Sequence, residues 1–463
     1  MRYVSTRGQV GSKPFLKILL EGLAADGGLY VPTEYPKVSA YDLRELHGRS
    51  YVDVAMFILA KFMTDIPHCD LDRIIKKAYS KEFFGSEEIT PLLELDQGLY
   101  LLRLSNGPTL AFKDIALHLL GYLLEYALGQ QEGELNVLGA TSGDTGSAAE
   151  VALRGKRGLR VFMLSPLHGM SPFQACQMYT IDDPAIFNLV IDRTFDDCQR
   201  LVKEVNADAP FKEKYQIGAV NSINWARIAA QVVYYFYACL KLSKGDQEVS
   251  FAVPSGNFGN ALAAHVARQM GLPICKIIVA TNKNDVLDQF FLTGEYRPRS
   301  GSEVVRTSSP SMNIASASNL ERFIYDIVDQ TPEEICHLWR QLANTGSFTI
   351  EAALRKAGRV SSGSCSDHEV LAVIRKIYKY YGVIIDPHTA VAMGVAMRNI
   401  DEDTPMIVLE TAQPAKFADT IKEAMGFEAL VPPGFESLLS APLKFEQIEA
   451  NATAVKNFIA AHV

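Results

Sequence analysis

The sequence predicts an α/β fold on a mostly parallel sheet, preceded by a small, mainly helical unit. Three observations carry this. From about residue 99 onward, short aliphatic runs alternate with helical patterns, as βαβ architectures require. Those runs show little polar alternation, which suits strands buried on both faces. Residues 1–95 instead carry helical apolar spacing.

In the N-terminal unit, Phe15 to Leu23 has helical spacing, Gly27 to Pro32 reads as a turn and a short extended piece, and helical patterns recur at Val52–Met63 and Leu71–Phe83. The second region, 96–463, contains the predicted strands Leu99–Leu104, Leu135–Ala140, Arg160–Ser165, Phe187–Asp192, Ser250–Pro254, Lys276–Thr281 and Met406–Glu410. Helical patterns between them include Ala116–Leu128, Ser147–Arg154, Asp197–Ala207, Ile223–Lys241 and Ala261–Met270. Residues 294–319, rich in Ser, Pro, Arg and Asn, read as a long irregular segment, and Ser361 to Ser366 as a flexible stretch.

Bulk properties exclude several functions. A chain of 463 residues exceeds one small core. A formal net charge of −8 argues against nucleic acid as the main partner, because phosphate-backbone binding needs a basic face. Seven cysteines are scattered, with no Cys-x-x-Cys pair; this predicts free thiols in a reducing compartment, without a zinc site. The first residues lack an apolar signal core, and the greasiest stretch, Ala229–Leu240, is too short to span a bilayer. The expected location is the cytoplasm. Composition leaves monomer and homodimer equally open.

Lys113 is the most informative residue. It follows an apolar strand and a Gly107-Pro108 turn, and a long helical pattern begins there. The positive end of the helix dipole, with partial burial by Leu110, Ala111 and Phe112, lowers an amine's pKa. Such a lysine can form a Schiff base. A solvated first-turn lysine fits the same pattern. Two small-residue loops also open helices after strands: Ala140 to Gly146, and Pro254 to Asn260. Their glycines let backbone N–H groups turn toward an anion, although such turns also serve as tight connections. A third loop runs from Glu410 to Phe417. None is a Walker motif or a Gly-x-Gly-x-x-Gly fingerprint. Two anion cradles around a helix-start lysine point to pyridoxal 5'-phosphate and a substrate carboxylate.

The stretches Gly107 to Asp114, Ala140 to Gly146, Val253 to Gly259, Asn221 to Trp225, Asp386 to Ala392 and Thr411 to Phe417, with Gly22 to Leu29, resemble the threonine synthase family. This family belongs to the tryptophan-synthase-β-like, fold type II group of pyridoxal phosphate enzymes. The likeness runs from near Ser5 to near Phe427. It implies two α/β subdomains of parallel or mixed sheets with helices on both faces, and an active site between them. It implies that O-phospho-L-homoserine and water give L-threonine and phosphate.

The resemblance assigns roles by motif position. Lys113 would be the Schiff-base lysine and the general base and acid. Ser255, Gly256, Asn257, Phe258 and Gly259 would cradle the cofactor phosphate, and Thr411 would face the pyridine nitrogen. Thr141, Ser142, Asp144 and Thr145 would surround the substrate carboxylate and the cofactor's phenolic oxygen. Asn221, Ser222, Asn224 and Arg227 are candidates for the substrate phosphate, with Lys416, Ser171 and Gln174 as further options. Arg227 fits a solvated helix position equally well, and Lys416 fits a packing role. Gln413 stands where the family often has histidine, so no proton role is expected there. His388 reads as a site-wall residue and Asp114 as a first-turn helix stabiliser. A phosphohomoserine lyase releasing 2-oxobutyrate would use the same cofactor residues. A non-catalytic binder on this scaffold would lack the lysine or a cradle, and both are present.

Overall fold

The computed structural model describes residues 1–218 and 222–463. Two sheets organise the chain. The larger has six strands in the order Val360–Ser364, Ile274–Thr281, Val249–Pro254, Met406–Glu410, Leu99–Arg103, Leu92–Asp96. All neighbours pair in parallel except the last two, which pair antiparallel. The second has five parallel strands in the order Glu446–Gln447, Ile186–Ile191, Leu159–Pro166, Leu135–Ala140, Ile217–Gly218. Each strand predicted from an aliphatic run is present, with ends shifted by at most two residues.

The Ser361–Ser366 stretch departs from expectation. Val360–Ser364 is an edge strand in register with Ile277–Thr281. Small residues suit this edge because space is short: a Cβ on Gly363 would lie 2.8 Å from Val395 Cγ1.

The helix Trp225–Leu242 is mostly apolar around its circumference, as a buried helix requires, and residues 225–240 are all buried, Arg227 and Gln231 included. The N-terminal helix Tyr51–Phe62 packs on it, with Tyr51 against Tyr237 and Phe62 against Trp225. The N-terminal helices thus share one apolar core with the α/β region. The Lys113–Gly129 helix lies so close to Asp144–Leu153 that a Cβ on Gly121 would sit 2.3 Å from the Ala152 carbonyl oxygen.

Residues 294–319 are irregular apart from one short strand and two 3-10 turns, as expected. They are nevertheless pinned. Asn282 Nδ2 donates to Thr307 Oγ1, Ser309 Oγ and Asn313 Oδ1, and the Asn319 N–H donates to the Asn257 carbonyl. Among the described residues, no helix is long and apolar enough to cross a membrane, and no His/Cys/Asp/Glu cluster has metal-binding geometry.

Candidate active site

A cavity of about 1410 Å³ lies at the carboxyl ends of strands from both sheets, where open α/β folds bind ligands. It gathers residues from distant parts of the sequence: Lys113, the Thr141–Thr145 loop, Ser222, Arg227, the Ser255–Asn260 loop and Thr411.

Lys113 opens its helix. Two backbone contacts fix the approach to it: Phe112 N–H donates to the Thr411 carbonyl at 2.9 Å, and Gln413 N–H donates to the Leu110 carbonyl at 3.0 Å. Leu110 adopts a left-handed φ of +56°, a strained conformation that the surrounding packing must hold. Asp114 is buried and turned back toward the loop, accepting from Thr109 N at 2.9 Å and Thr109 Oγ1 at 2.6 Å. It therefore braces the Gly107–Thr109 turn as well as opening the helix. Burial lifts its carboxyl to about 6.

Burial also pulls the Lys113 amine below its ordinary pKa. Lys416 and Arg227 push the same way, while Asp144 opposes them. Asp144 Oδ2 lies 3.4 Å from Lys113 Nζ. Its carboxylate does not face the cavity as a free group. Oδ1 meets Lys416 Nζ at 2.9 Å and Gln174 Nε2 at 3.0 Å, and Oδ2 accepts from Ser311 Oγ at 2.7 Å. Burial alone would raise this carboxyl, but Lys416 and Lys113 hold it well below the usual range. Asp144 is thus a poor neighbour for a substrate carboxylate, and its geometry ties it to the lysines.

The loop after Val249–Pro254 is shaped for an anion. The N–H groups of Gly256, Asn257 and Phe258 have no protein acceptor among the described residues, and the Gly259–Met270 helix starts there with its dipole aimed at the same point. Phe258 takes a left-handed φ of +62°, held by packing against Phe323 and Phe291. A Cβ on Gly256 would crowd the Ser311 carbonyl oxygen at 3.2 Å. Pyridoxal phosphate fits these residues: bare amides suit its phosphate, and a desolvated amine suits its aldehyde.

In the Ala140–Gly146 loop, Thr141 Oγ1 accepts from Gly143 N and Gly146 N. Thr141 therefore sets the loop's shape, leaving Ser142 and Thr145 to reach the cavity. Arg227 is buried against the cavity, and its Nε and Nη1 find no acceptor among the described residues. A desolvated, unpartnered guanidinium calls for an anion. Burial draws its pKa down to about 10. Ser222 Oγ meets Ser318 Oγ at 2.9 Å on the same wall. Asn224 lies elsewhere: it is buried, caps the Trp225–Leu242 helix through Ala226 N and donates to the Leu19 carbonyl. Asn221 falls outside the described residues.

His388 lines the cavity. Its Nδ1 bonds Asp386 Oδ1 at 2.8 Å and its Nε2 accepts from Ser311 N at 3.1 Å. Accepting at Nε2 requires the neutral ring with its proton on Nδ1. Gln413 is structural, donating to Ser105 Oγ and Glu410 Oε1. Ser311 carries no sequence signal. It sits in the irregular segment, and only folding brings it to Asp144.

A helix-start lysine, an amide cradle and a hydroxyl at a strand end, arranged between one mixed and one parallel sheet, define a pyridoxal-phosphate-dependent enzyme of fold type II. Comparison with known proteins agrees. A family model described as "Pyridoxal-phosphate dependent enzyme" matches residues 84–411. Those described as "Threonine synthase N terminus" and "Threonine synthase, C-terminal" match residues 2–79 and 389–459. Threonine synthase of Methylobacillus glycogenes is 51% identical, with 100% of each chain covered. That of Corynebacterium glutamicum is 48% identical over 99% of this chain and 98% of its own. The crystal structure of the pyridoxal-phosphate-bound threonine synthase from Brucella melitensis superposes with a TM-score of 0.96 at 40% identity, covering 100% of this chain and 99% of that one. The chain belongs to the threonine synthase family.

Proposed function

We propose that the chain converts O-phospho-L-homoserine and water to L-threonine and phosphate, with Lys113 as the covalent anchor of pyridoxal phosphate and as the proton carrier. The amides of Gly256, Asn257, Phe258 and Gly259 hold the cofactor phosphate, with Ser255 supporting the loop from the strand end. The Thr411 hydroxyl would face the ring nitrogen and, carrying no negative charge, would leave it largely unprotonated. When bound, the cofactor supplies an electron sink for charge developing on the substrate carbons.

The remaining work falls to protein groups. Ser142 and Thr145, on the loop shaped by Thr141, donate to the substrate carboxylate. Arg227, with Ser222 on the same cavity, binds the substrate phosphate and steadies it as it leaves. Once freed, Lys113 Nζ would take a proton from the α carbon and then one from the β carbon as phosphate leaves the γ carbon, and would return protons to the γ and α carbons as the hydroxyl of water adds at the β carbon. A neutral amine does this best, and its surroundings lower its proton affinity.

The observation that carries this reading is the unpartnered Arg227 guanidinium on the same cavity as Lys113 and the amide cradle. One cavity thereby offers two separate anion positions, one for the cofactor and one for a phosphorylated substrate. The decisive assay supplies O-phosphohomoserine to the holoenzyme and quantifies threonine, phosphate and 2-oxobutyrate. Threonine and phosphate in equal amounts are expected. Release of 2-oxobutyrate without threonine would establish the lyase instead.

A further inference from the structure

Two lysines share one buried carboxylate. Lys416 is fully buried, on the turn Pro414–Phe417. Its ammonium meets Asp144 Oδ1 at 2.9 Å and donates to the Thr109 carbonyl at 2.6 Å. Lys113 stands farther off, 3.4 Å from Asp144 Oδ2, and that oxygen is already engaged by Ser311 Oγ at 2.7 Å. Ser311 is itself held, its N–H donating to His388 Nε2. Asp144 therefore already holds three donors, one of them a cation at 2.9 Å, before Lys113 is counted.

This arrangement has a consequence for Lys113. In a desolvated site an unbalanced carboxylate strongly favours protonation of the nearest amine. Without Lys416, Lys113 would be the only cation in contact with Asp144 among the described residues. A protonated amine cannot attack an aldehyde or accept a proton. The other charged groups facing this cluster are Arg227, which also disfavours a charged Lys113, and Asp114, which is tied to Thr109. His388 is engaged with Asp386.

We propose that Lys416 is a positioning residue that occupies Asp144 and so leaves the Lys113 amine free to hold the cofactor and carry protons. The fold supports this role. Lys416 follows directly on the strap whose Thr411 carbonyl and Gln413 amide bond Phe112 and Leu110. One segment thus sets the placement of Lys113 and delivers the cation that competes with it. The Thr109 carbonyl that fixes Lys416 belongs to the turn braced by Asp114.

The inference rests on Lys113 being the cofactor anchor, so the test begins by trapping wild-type holoenzyme with borohydride and mapping the labelled peptide. A label away from Lys113 overturns the anchor reading, and this inference with it. With the label on Lys113, the absorbance of the bound cofactor is followed against pH in wild type, Lys416→Met and Lys416→Arg. Lys416→Met is expected to raise the apparent pKa of the Lys113 nitrogen by at least about one unit, a tenfold change in proton affinity, and Lys416→Arg to stay within about 0.3 units of wild type. The kcat/KM deficit of Lys416→Met is expected to shrink as pH rises. A lowered melting temperature with an unmoved spectroscopic pKa would reduce Lys416 to a packing residue and overturn the inference. If Lys416→Met does not fold, Asp144→Asn decides, because removing the carboxylate must lower the same pKa, and an unchanged value overturns the inference.

Discussion

The Phe112 N–H and the Thr411 carbonyl meet at 2.9 Å, which locks the start of the lysine-bearing helix to the end of the Met406–Glu410 strand. Ala111 and Ala412 form an isolated bridge in the same place. Lys113 and Thr411 therefore keep their relative placement through backbone contacts that no side-chain substitution removes.

For this reason Lys113→Ala is expected to abolish turnover and leave the fold intact. Turnover should fall by at least about three orders of magnitude, since the group that moves the proton is gone. The melting temperature of the cofactor-free protein should hold within a few degrees or rise, because a buried amine is removed. Steady-state assay and thermal unfolding on one preparation check both. Turnover within about tenfold of wild type would remove Lys113 from the chemistry.

Arg227→Met separates substrate binding from cofactor binding. The guanidinium has no protein acceptor at Nε or Nη1, so the substitution should not weaken the fold, and relief of a buried unpartnered cation favours it. Loss of a charge-assisted contact to the substrate phosphate is expected to lower kcat/KM by roughly tenfold to several hundredfold. Cofactor affinity, read by absorbance titration, should be unchanged. A parallel loss of cofactor affinity would place Arg227 at the cofactor phosphate instead.

The local parts of this site were legible in the sequence, and the long-range parts were not. Aliphatic runs such as Leu135–Ala140 announce a strand buried on both faces, and its ends are where expected. Ser361 to Ser364 gave no such signal, because an edge strand of Ser and Gly owes its conformation to the neighbouring Ile274–Thr281 strand and to the Ser362 bond to Asp288. Lys113 and the Gly256–Gly259 loop are legible because each is one strand-to-helix junction. The link of Asp144 to Lys416, Gln174 and Ser311 joins separate loops. Its sequence reading as a substrate-carboxylate neighbour followed from motif position, which carries no information on what saturates the group.

Gly256→Val tests the amide cradle. A Cβ there would stand 3.2 Å from the Ser311 carbonyl oxygen and 3.3 Å from Met312 Cα, and valine's methyl groups would crowd the same segment. Overpacking of this kind costs about 1–3 kcal/mol. The cradle must shift to relieve it, so cofactor affinity is expected to fall at least tenfold, as measured by equilibrium titration. Affinity equal to wild type would place the phosphate elsewhere.

Glu410 makes stability depend on pH. Its carboxyl is buried behind Thr411 and accepts from Ser105 Oγ at 2.6 Å and Gln413 Nε2 at 3.1 Å. Burial lifts its pKa from 4.5 to about 7, with Asp386 pushing the same way and Arg103 and Ser105 opposing. The folded state therefore keeps this proton over a range where the unfolded chain has lost it. The stabilisation is complete below pH 4.5 and is lost as pH rises through about 7. Glu410→Gln keeps an oxygen for the Ser105 and Gln413 donors but cannot ionise. Relative to wild type, the variant should therefore gain stability between pH 5 and pH 8, by up to roughly 3 kcal/mol. Denaturant unfolding of both proteins at the two pH values measures the difference directly. A gap that is the same at both values would mean that Glu410 ionises as readily in the folded chain as in the unfolded one. The Ser105 and Gln413 contacts would then be holding a carboxylate at pH 5, not a neutral acid.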